Sequence, residues 1–300
     1  MSEALVKFKI AEFVIEYHGR KEYLHDRFND FLYEGEGASD ITVEIIEKKP
    51  VFLRYLIDKG KKIGTFSLYE DGDTLIQYYP RRIHMFVWQM KGKNNYRDTQ
   101  IFVCDNPKNF FVRCIGQQKY YHWMQQNIFS ALQEVFYNRI LFEGAMSIHS
   151  ASVIYNDKAI VFSASSGTGK STQAGLWMQE LGCEMLDGDV TVCREQDGKL
   201  YVYGLPWCGS SGKYLNRKVE LGAIVFLKQA KENSVRVPNI REKISYVYSS
   251  TFSESLNNDM AQRIAGVTQK IIEKARIYEF SCNMETDAVR ILKNVIDNGM

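Results

Sequence analysis

The stretch KAIVFSASSGTGKSTQAGLWMQELG, residues 158–182, constrains this chain more than any other. It begins as a compact apolar run of strand type and passes through a turn rich in Gly and Ser. It then continues with Ala174, Leu176, Trp177, Met178 and Leu181 available for one buried helical face. Gly182 stands where such a helix would end. Strand, glycine-rich turn and helix in that order are the setting in which a G-x-x-x-x-G-K-[ST] loop binds phosphate. Here the first glycine position is Ala164.

Each loop residue then has physical work to do. Gly167 and Gly169 let backbone N–H groups turn inward around an anion where a side chain would block approach. Ser165, Ser166 and Thr168 complete the cradle, and the helix N-terminus around Thr172 adds its positive end. Lys170 can reach between β- and γ-phosphates, and the Ser171 hydroxyl suits Mg²⁺. Alanine at 164 restricts φ without removing a phosphate ligand. A nucleoside triphosphate, ATP or another, is therefore the expected ligand.

Composition narrows the class. With 45% hydrophobic and 25% charged residues over 300 positions, the chain reads as one large or two ordinary globular domains. A net charge of +2 argues against nucleic acid or a membrane surface as partner. No apolar run approaches a membrane span, and MSEALVKFKIAEF lacks the basic and apolar regions of a secretion signal. Cys104, Cys114, Cys183, Cys193, Cys208 and Cys282 form no C-x-x-C pair, as expected of reduced thiols in the cytoplasm. His18, His25, His84 and His122 have no ligand-like spacing.

Upstream, LVKFKIAEFVIEYH, ITVEIIE, GTFSLYE, DTLIQYY, RIHMFVWQM and TQIFVCDN read as strands of an antiparallel sheet with one wet face. KEYLHDRFNDFLY, residues 21–33, reads as one helix. From Tyr121 to Phe142 the period changes: Met124, Ile128, Leu132, Val135, Phe136 and Ile140 recur at helical spacing, as a core-facing stripe. The expected division is an α+β domain rich in antiparallel strands at 1–118 and an α/β nucleotide domain at 119–300.

The run AMSIHSASVIYNDKAIVFSASSGTGKST, residues 145–172, resembles the ATP-dependent phosphoenolpyruvate carboxykinases. There a His-Cys/Ser-Ala segment precedes the nucleotide strand and the loop reads S-G-T-G-K-[ST]. It is also similar to the HPr kinase/phosphorylases, which share that fold. Ala151, Ser165 and Ser166 fit the pattern, and His149 falls on the family histidine. The resemblance covers about residues 145–296 and implies a phosphoenolpyruvate carboxykinase-like core with a mixed sheet. It also implies transfer of the γ-phosphoryl of ATP, with Mg²⁺, onto a hydroxyl of a protein, peptide or metabolite, and assembly into homo-oligomers.

By the same resemblance, His149 sits near the terminal phosphates. Relatives carry an adjacent acidic pair after the loop helix; here it is split as Asp187-Gly188-Asp189. The resemblance assigns metal, or its water, to Asp189 and the proton-accepting role to Asp187. The L-E-x-R-G-x-G signature of the HPr kinases is absent, and PWCGSSGKYLN stands in its place. In that second loop Ser210, Ser211 and Lys213 are placed to bind a phosphate or an acceptor group, and Arg217 to supply charge to the transferring phosphoryl. Two other readings stay open: a nucleotide sensor that transfers nothing, and a peptide binder that uses an N-terminal edge strand, its kinase core acting on the bound peptide.

Overall fold

The computed structural model describes residues 3–47, 61–63, 66–71, 74–78, 89–93, 95–103, 116–253, 257–283 and 285–299. The architecture is mixed α/β with two eight-stranded sheets, one in each of two compact units, residues 1–139 and 140–300. No helix among the described residues is long and apolar enough to cross a membrane.

The first unit holds strands β1 (Glu3–Ile10), β2 (Phe13–Arg20), β3 (Ile41–Ile46), β4 (Lys61–Ile63), β5 (Phe66–Asp71), β6 (Thr74–Tyr78), β7 (Gln89–Lys93) and β8 (Asp98–Phe102). Their order is β1-β2-β3-β8-β7-β6-β5-β4. β3 runs parallel to both β2 and β8, and the remaining pairs are antiparallel, so this sheet is mixed where an antiparallel one was expected.

The opening strand run is in fact a hairpin. Ala11 (φ 48°) and Glu12 (φ 68°) make its two-residue turn with left-handed backbone. That geometry is usually supplied by Asn-Gly, so the turn carried no sequence signal. The helix expected at 21–33 is two short 3₁₀ segments, Lys21–Tyr23 and Asp26–Phe31. Leu24 and His25 between them take extended backbone, and His25 Nδ1 caps the second by accepting from Arg27 N (3.2 Å). Of RIHMFVWQM, residues 82–88 lie outside the described residues, as do His84, Cys104 and Cys114.

Helix α1 (Gln117–Leu141) carries the expected stripe: Met124, Ile128, Leu132, Val135 and Phe136 are buried. Phe136 packs edge-on against Phe13 and Phe129 against Phe28, while Arg139 Nε donates to the carbonyl of Asp40 (3.3 Å). These contacts place most of the helix with the first unit, and the division of the described chain falls near its C-terminal end.

The second unit contains β9 (Ala145–Tyr155), β10 (Lys158–Ser163), α2 (Lys170–Leu181), β11 (Glu184–Asp187), β12 (Val190–Gln196), β13 (Lys199–Tyr203) and β14 (Lys218–Gln229). It continues with β15 (Ser234–Arg236), α3 (Ile240–Ser249), α4 (Asn258–Lys274), β16 (Ile277–Cys282) and α5 (Thr286–Asn298). The sheet order is β10-β9-β12-β13-β14-β16-β15, and β10 also pairs with β14, closing the first five strands on themselves. β10, β14 and β16 run parallel, so their carboxyl ends share one edge. In open α/β sheets that edge is where ligands bind. Beneath α2 and α5 lies a core of Ala151, Val153, Phe162, Trp177, Val225 and Phe280. Its apolar burial fixes α2 on the sheet, and so sets where its N-terminus points.

Candidate functional site

The glycine-rich loop leaves β10 at Ser163 and enters α2 at Lys170. Gly167 (φ 79°) and Gly169 (φ 110°) adopt left-handed backbone, which explains why glycine stands at both positions. A Cβ on Gly167 would meet nothing within 4 Å, so no described protein atom crowds the loop at that position. Gly169 is the N-cap of α2 and offers no side chain to its N–H groups. Those groups and the helix dipole are thereby left to an anion. Ala164 is not among the residues with positive φ, so its departure from glycine imposes no strain. Its side chain packs on the core. Ser165, Ser166, Ser171 and Thr172 are exposed around the loop.

Lys170 is turned inward and only 8% exposed. Its ammonium lies 2.7 Å from His149 Nε2 and donates to the carbonyl of Ala164 (3.2 Å). Burial lowers its pKa. His149 sits on β9 opposite Val190 of β12, so the strand register brings it beside Asp189. His149 Nδ1 is 3.7 Å from Asp189 Oδ1. Burial, and next the Lys170 charge, lower the pKa of His149 against a smaller raising effect of Asp189. The neutral imidazole that accepts from Lys170 at Nε2 then carries its proton on Nδ1, toward Asp189. Asp189, His149 and Lys170 thus stand in one line. Ser163 Oγ steadies it by donating to the His149 carbonyl (2.8 Å), and Phe252 packs edge-on against the imidazole at 4.9 Å.

Asp187 behaves differently. It is fully buried, and its Oδ1 accepts from the backbone N–H of Asp189 (2.9 Å) and Val190 (3.0 Å) while Oδ2 accepts from Leu205 (2.8 Å). Burial pushes its pKa up to about 7 despite these donors. A carboxylate sealed in this way meets no substrate hydroxyl, and the base role expected for it does not fit its surroundings. It organises the turn that presents Asp189.

The second loop packs directly on that turn. A Cβ on Gly188 would come within 1.9 Å of Ser211 Oγ, and one on Gly209 within 2.7 Å of Asp189 Cβ. Both glycines are there for close approach, which no pattern in the sequence announced. Ser211 Oγ donates to the Cys208 carbonyl (2.8 Å) and accepts from Lys213 N (3.2 Å), so it serves its own loop. Ser210 and Lys213 are exposed. Cys208 is buried, as are Cys183, Cys193 and Cys282. Arg217 pairs with Glu184 (2.9 Å) at the opening of β11, roughly 10 Å along the strand from Asp187. The structure does not bring it to the loop. Sequence reasoning also missed Gln229, whose Nε2 lies 3.4 Å from the Thr168 carbonyl, and Phe252.

No group of three His, Cys, Asp or Glu converges as a metal cage among the described residues. Mg²⁺ seldom uses such a cage: it keeps waters and phosphate oxygens and takes one or two protein donors. Exposed Ser171 beside the uncapped helix end fits that chemistry.

No known protein family matches the chain, and no curated protein matches it. Among solved structures it is similar to the Hpr(Ser) kinase/phosphatase from Coxiella burnetii, at 10% identity over 49% of this chain and 94% of that one, with a TM-score of 0.29. A likeness of that size carries no weight here, and the functional reading stands on the site.

Proposed function

We propose that the second unit, built as a phosphoenolpyruvate carboxykinase-like or HPr kinase-like core, transfers the γ-phosphoryl of ATP or another nucleoside triphosphate to a hydroxyl. The observation that carries this is the glycine-rich loop at the head of uncapped α2, with Lys170 turned toward His149 and Asp189. The triphosphate lies along the loop N–H groups, and Lys170 neutralises the charge that develops on the leaving oxygen. The acceptor oxygen attacks phosphorus as the bond to the β-phosphate oxygen breaks, and the nucleoside diphosphate departs with that electron pair. Because Asp187 is sealed, Asp189 takes the acceptor proton, with His149 Nδ1 beside it to orient the carboxylate. Mg²⁺, when bound, would screen the phosphate oxygens; Ser171 would hold it, with phosphate and water completing its shell.

The burial of Asp187 also favours a second reading, in which one accessible carboxylate is too few and the chain senses nucleotide without transferring phosphate. Calorimetry of ATP with Mg²⁺, followed by diphosphate release against a panel of hydroxyl acceptors, tests both. Absence of ATP binding overturns the nucleotide site. Binding without turnover across the panel favours the sensor.

A further inference from the structure

Seven large hydrophobic side chains are exposed among the described residues, and five of them lie in one stretch of sixteen: Val237, Ile240, Ile244, Tyr248 and Phe252. The other two, Leu5 and Leu32, belong to the first unit. Helix α3 explains the concentration. It starts at a capping box in which Asn239 accepts from Glu242 N and Glu242 accepts from Asn239 N, so its rotation about its own axis is fixed at the first turn. It is held from the sheet side by buried Val247 and by Tyr246, whose ring lies 4.9 Å from Phe226. Ile240, Ile244 and Tyr248, each four residues apart, then fall on an outward face. Ile240 is 60% exposed and Ile244 48%. A monomer seldom leaves such a stripe uncovered without a binding role.

Two further observations say what covers it. The stripe is continuous with the proposed active site: α3 ends at Ser250, whose carbonyl accepts from His149 N (2.7 Å), and Phe252 two residues on packs against the His149 ring. A partner lying along α3 therefore arrives at the line of Asp189, His149 and Lys170. Among the described residues of the stretch, the charges left without an ion pair are cations. Glu242 is spent on Arg236 (2.8 Å) and the cap, whereas Arg241 and Lys243 make no ion pair among the described residues. Nucleic acid would answer the cations alone, whereas a row of isoleucine and tyrosine at helical spacing answers apolar side chains of a polypeptide and the cations its Asp or Glu. Anionic lipid vesicles that bind the wild type, and lose it in Ile240→Ser/Ile244→Ser, would overturn that choice of partner.

We infer that the exposed face of α3 is the docking surface for a polypeptide partner that presents apolar side chains flanked by Asp or Glu, and that this docking delivers an acceptor hydroxyl to the site. The second clause rests on the phosphotransfer reading; the first does not.

The experiment is selection of a displayed library of random dodecapeptides on the full-length protein, with fluorescence anisotropy of the enriched peptides. Enriched peptides should carry apolar residues three or four apart with excess acidic residues. They should bind Ile240→Ser/Ile244→Ser at least tenfold more weakly, and acidic peptides should lose affinity for Arg241→Glu/Lys243→Glu. ATP calorimetry and circular dichroism on the same variants should match the wild type, since all four side chains lie outside the loop. Enrichment independent of these residues, or of basic peptides, overturns the inference. So does light scattering that shows a wild-type dimer and an Ile240→Ser/Ile244→Ser monomer, because the face would then be covered by a second copy. Peptide capture by a wild-type protein that fails to bind ATP overturns the delivery clause and the phosphotransfer reading together, and leaves the docking surface standing.

Discussion

The ammonium of Lys170 lies 2.7 Å from Nε2 of His149, so the cation that would grip phosphate rests on an imidazole. That contact is worth little as an ion pair, since the histidine is neutral when it accepts, and it keeps a buried ammonium hydrogen-bonded at low cost. Replacing Lys170 by alanine should therefore separate binding from folding. ATP affinity measured by calorimetry should fall by roughly 10- to 150-fold, the weight of a charge-assisted hydrogen bond of about 1.5–3 kcal/mol. The Tm of the ligand-free protein should stay within about 4 °C of wild type. Unchanged affinity in the folded variant would remove the nucleotide site from consideration.

The same contact sets the titration of His149. Its pKa is lowered by burial and by the Lys170 charge, so the folded state holds this proton less tightly than the unfolded chain. Stability from this group is present above the unfolded value and is lost as pH falls through the folded one. NMR titration should place His149 below the ordinary histidine value of about 6.5. Lys170→Met removes the charge and should move that pKa upward. A histidine that titrates at the ordinary value in both proteins would contradict the arrangement.

Asp187 and Asp189 should fail in opposite ways when changed to asparagine. At Asp187 an amide NH₂ must face a backbone N–H that the carboxylate accepted, so unfolding in urea should show a loss of roughly 1–3 kcal/mol. Wild-type stability should also fall as pH rises from about 4 toward about 7, because the folded state holds the Asp187 proton up to about 7 and the unfolded chain releases it near 4. Asp187→Asn should flatten that window. Asp189→Asn should leave stability within about 0.5 kcal/mol and reduce transfer by roughly 10²–10⁴-fold. The reverse pattern would return the base to Asp187.

Ala164 invites the opposite kind of test. Restoring the signature glycine should bring no gain in ATP affinity, because alanine already fits the backbone there. It should cost about 0.4–1 kcal/mol through the freer unfolded chain and the lost methyl contact. A tenfold affinity gain in Ala164→Gly would show that the loop is held short of its binding shape.

Overpacking offers a check on the second loop. Gly188→Ala drives a methyl into Ser211 Oγ and should destabilise by roughly 1–3 kcal/mol. Ser211→Gly should recover most of that loss in the double variant and little when made alone. Additive losses would mean that the two residues do not touch.

Much of this site was legible before any coordinates, and the reason is local. Strand, loop and α2 follow from period, glycine placement and the cap at Gly182, all of which act within a few residues. What escaped depends on distant neighbours. Burial of Asp187 requires Leu205 to donate from 18 positions away, and nothing in L-D-G-D-V signals that. Arg217 looked like phosphate chemistry because its partner Glu184 precedes it by 33 positions. The hairpin at Ala11-Glu12 hid behind residues that rarely turn, and 21–33 has helical periodicity broken only by the extended pair Leu24-His25.

The contact between Gly188 and Ser211 reaches beyond stability. With so little space between them, the acidic turn and the Gly/Ser loop cannot drift independently over generations. A lineage that closes the pair to adjacent aspartates gains a side chain at 188 and must rebuild residues 208–212 in the same step. A lineage that keeps a serine at 211 meets a stability cost for any residue other than glycine between its aspartates. The split acidic pair and the second loop are thus coupled by contact, and relatives that replace Gly188 should differ at Ser211 as well.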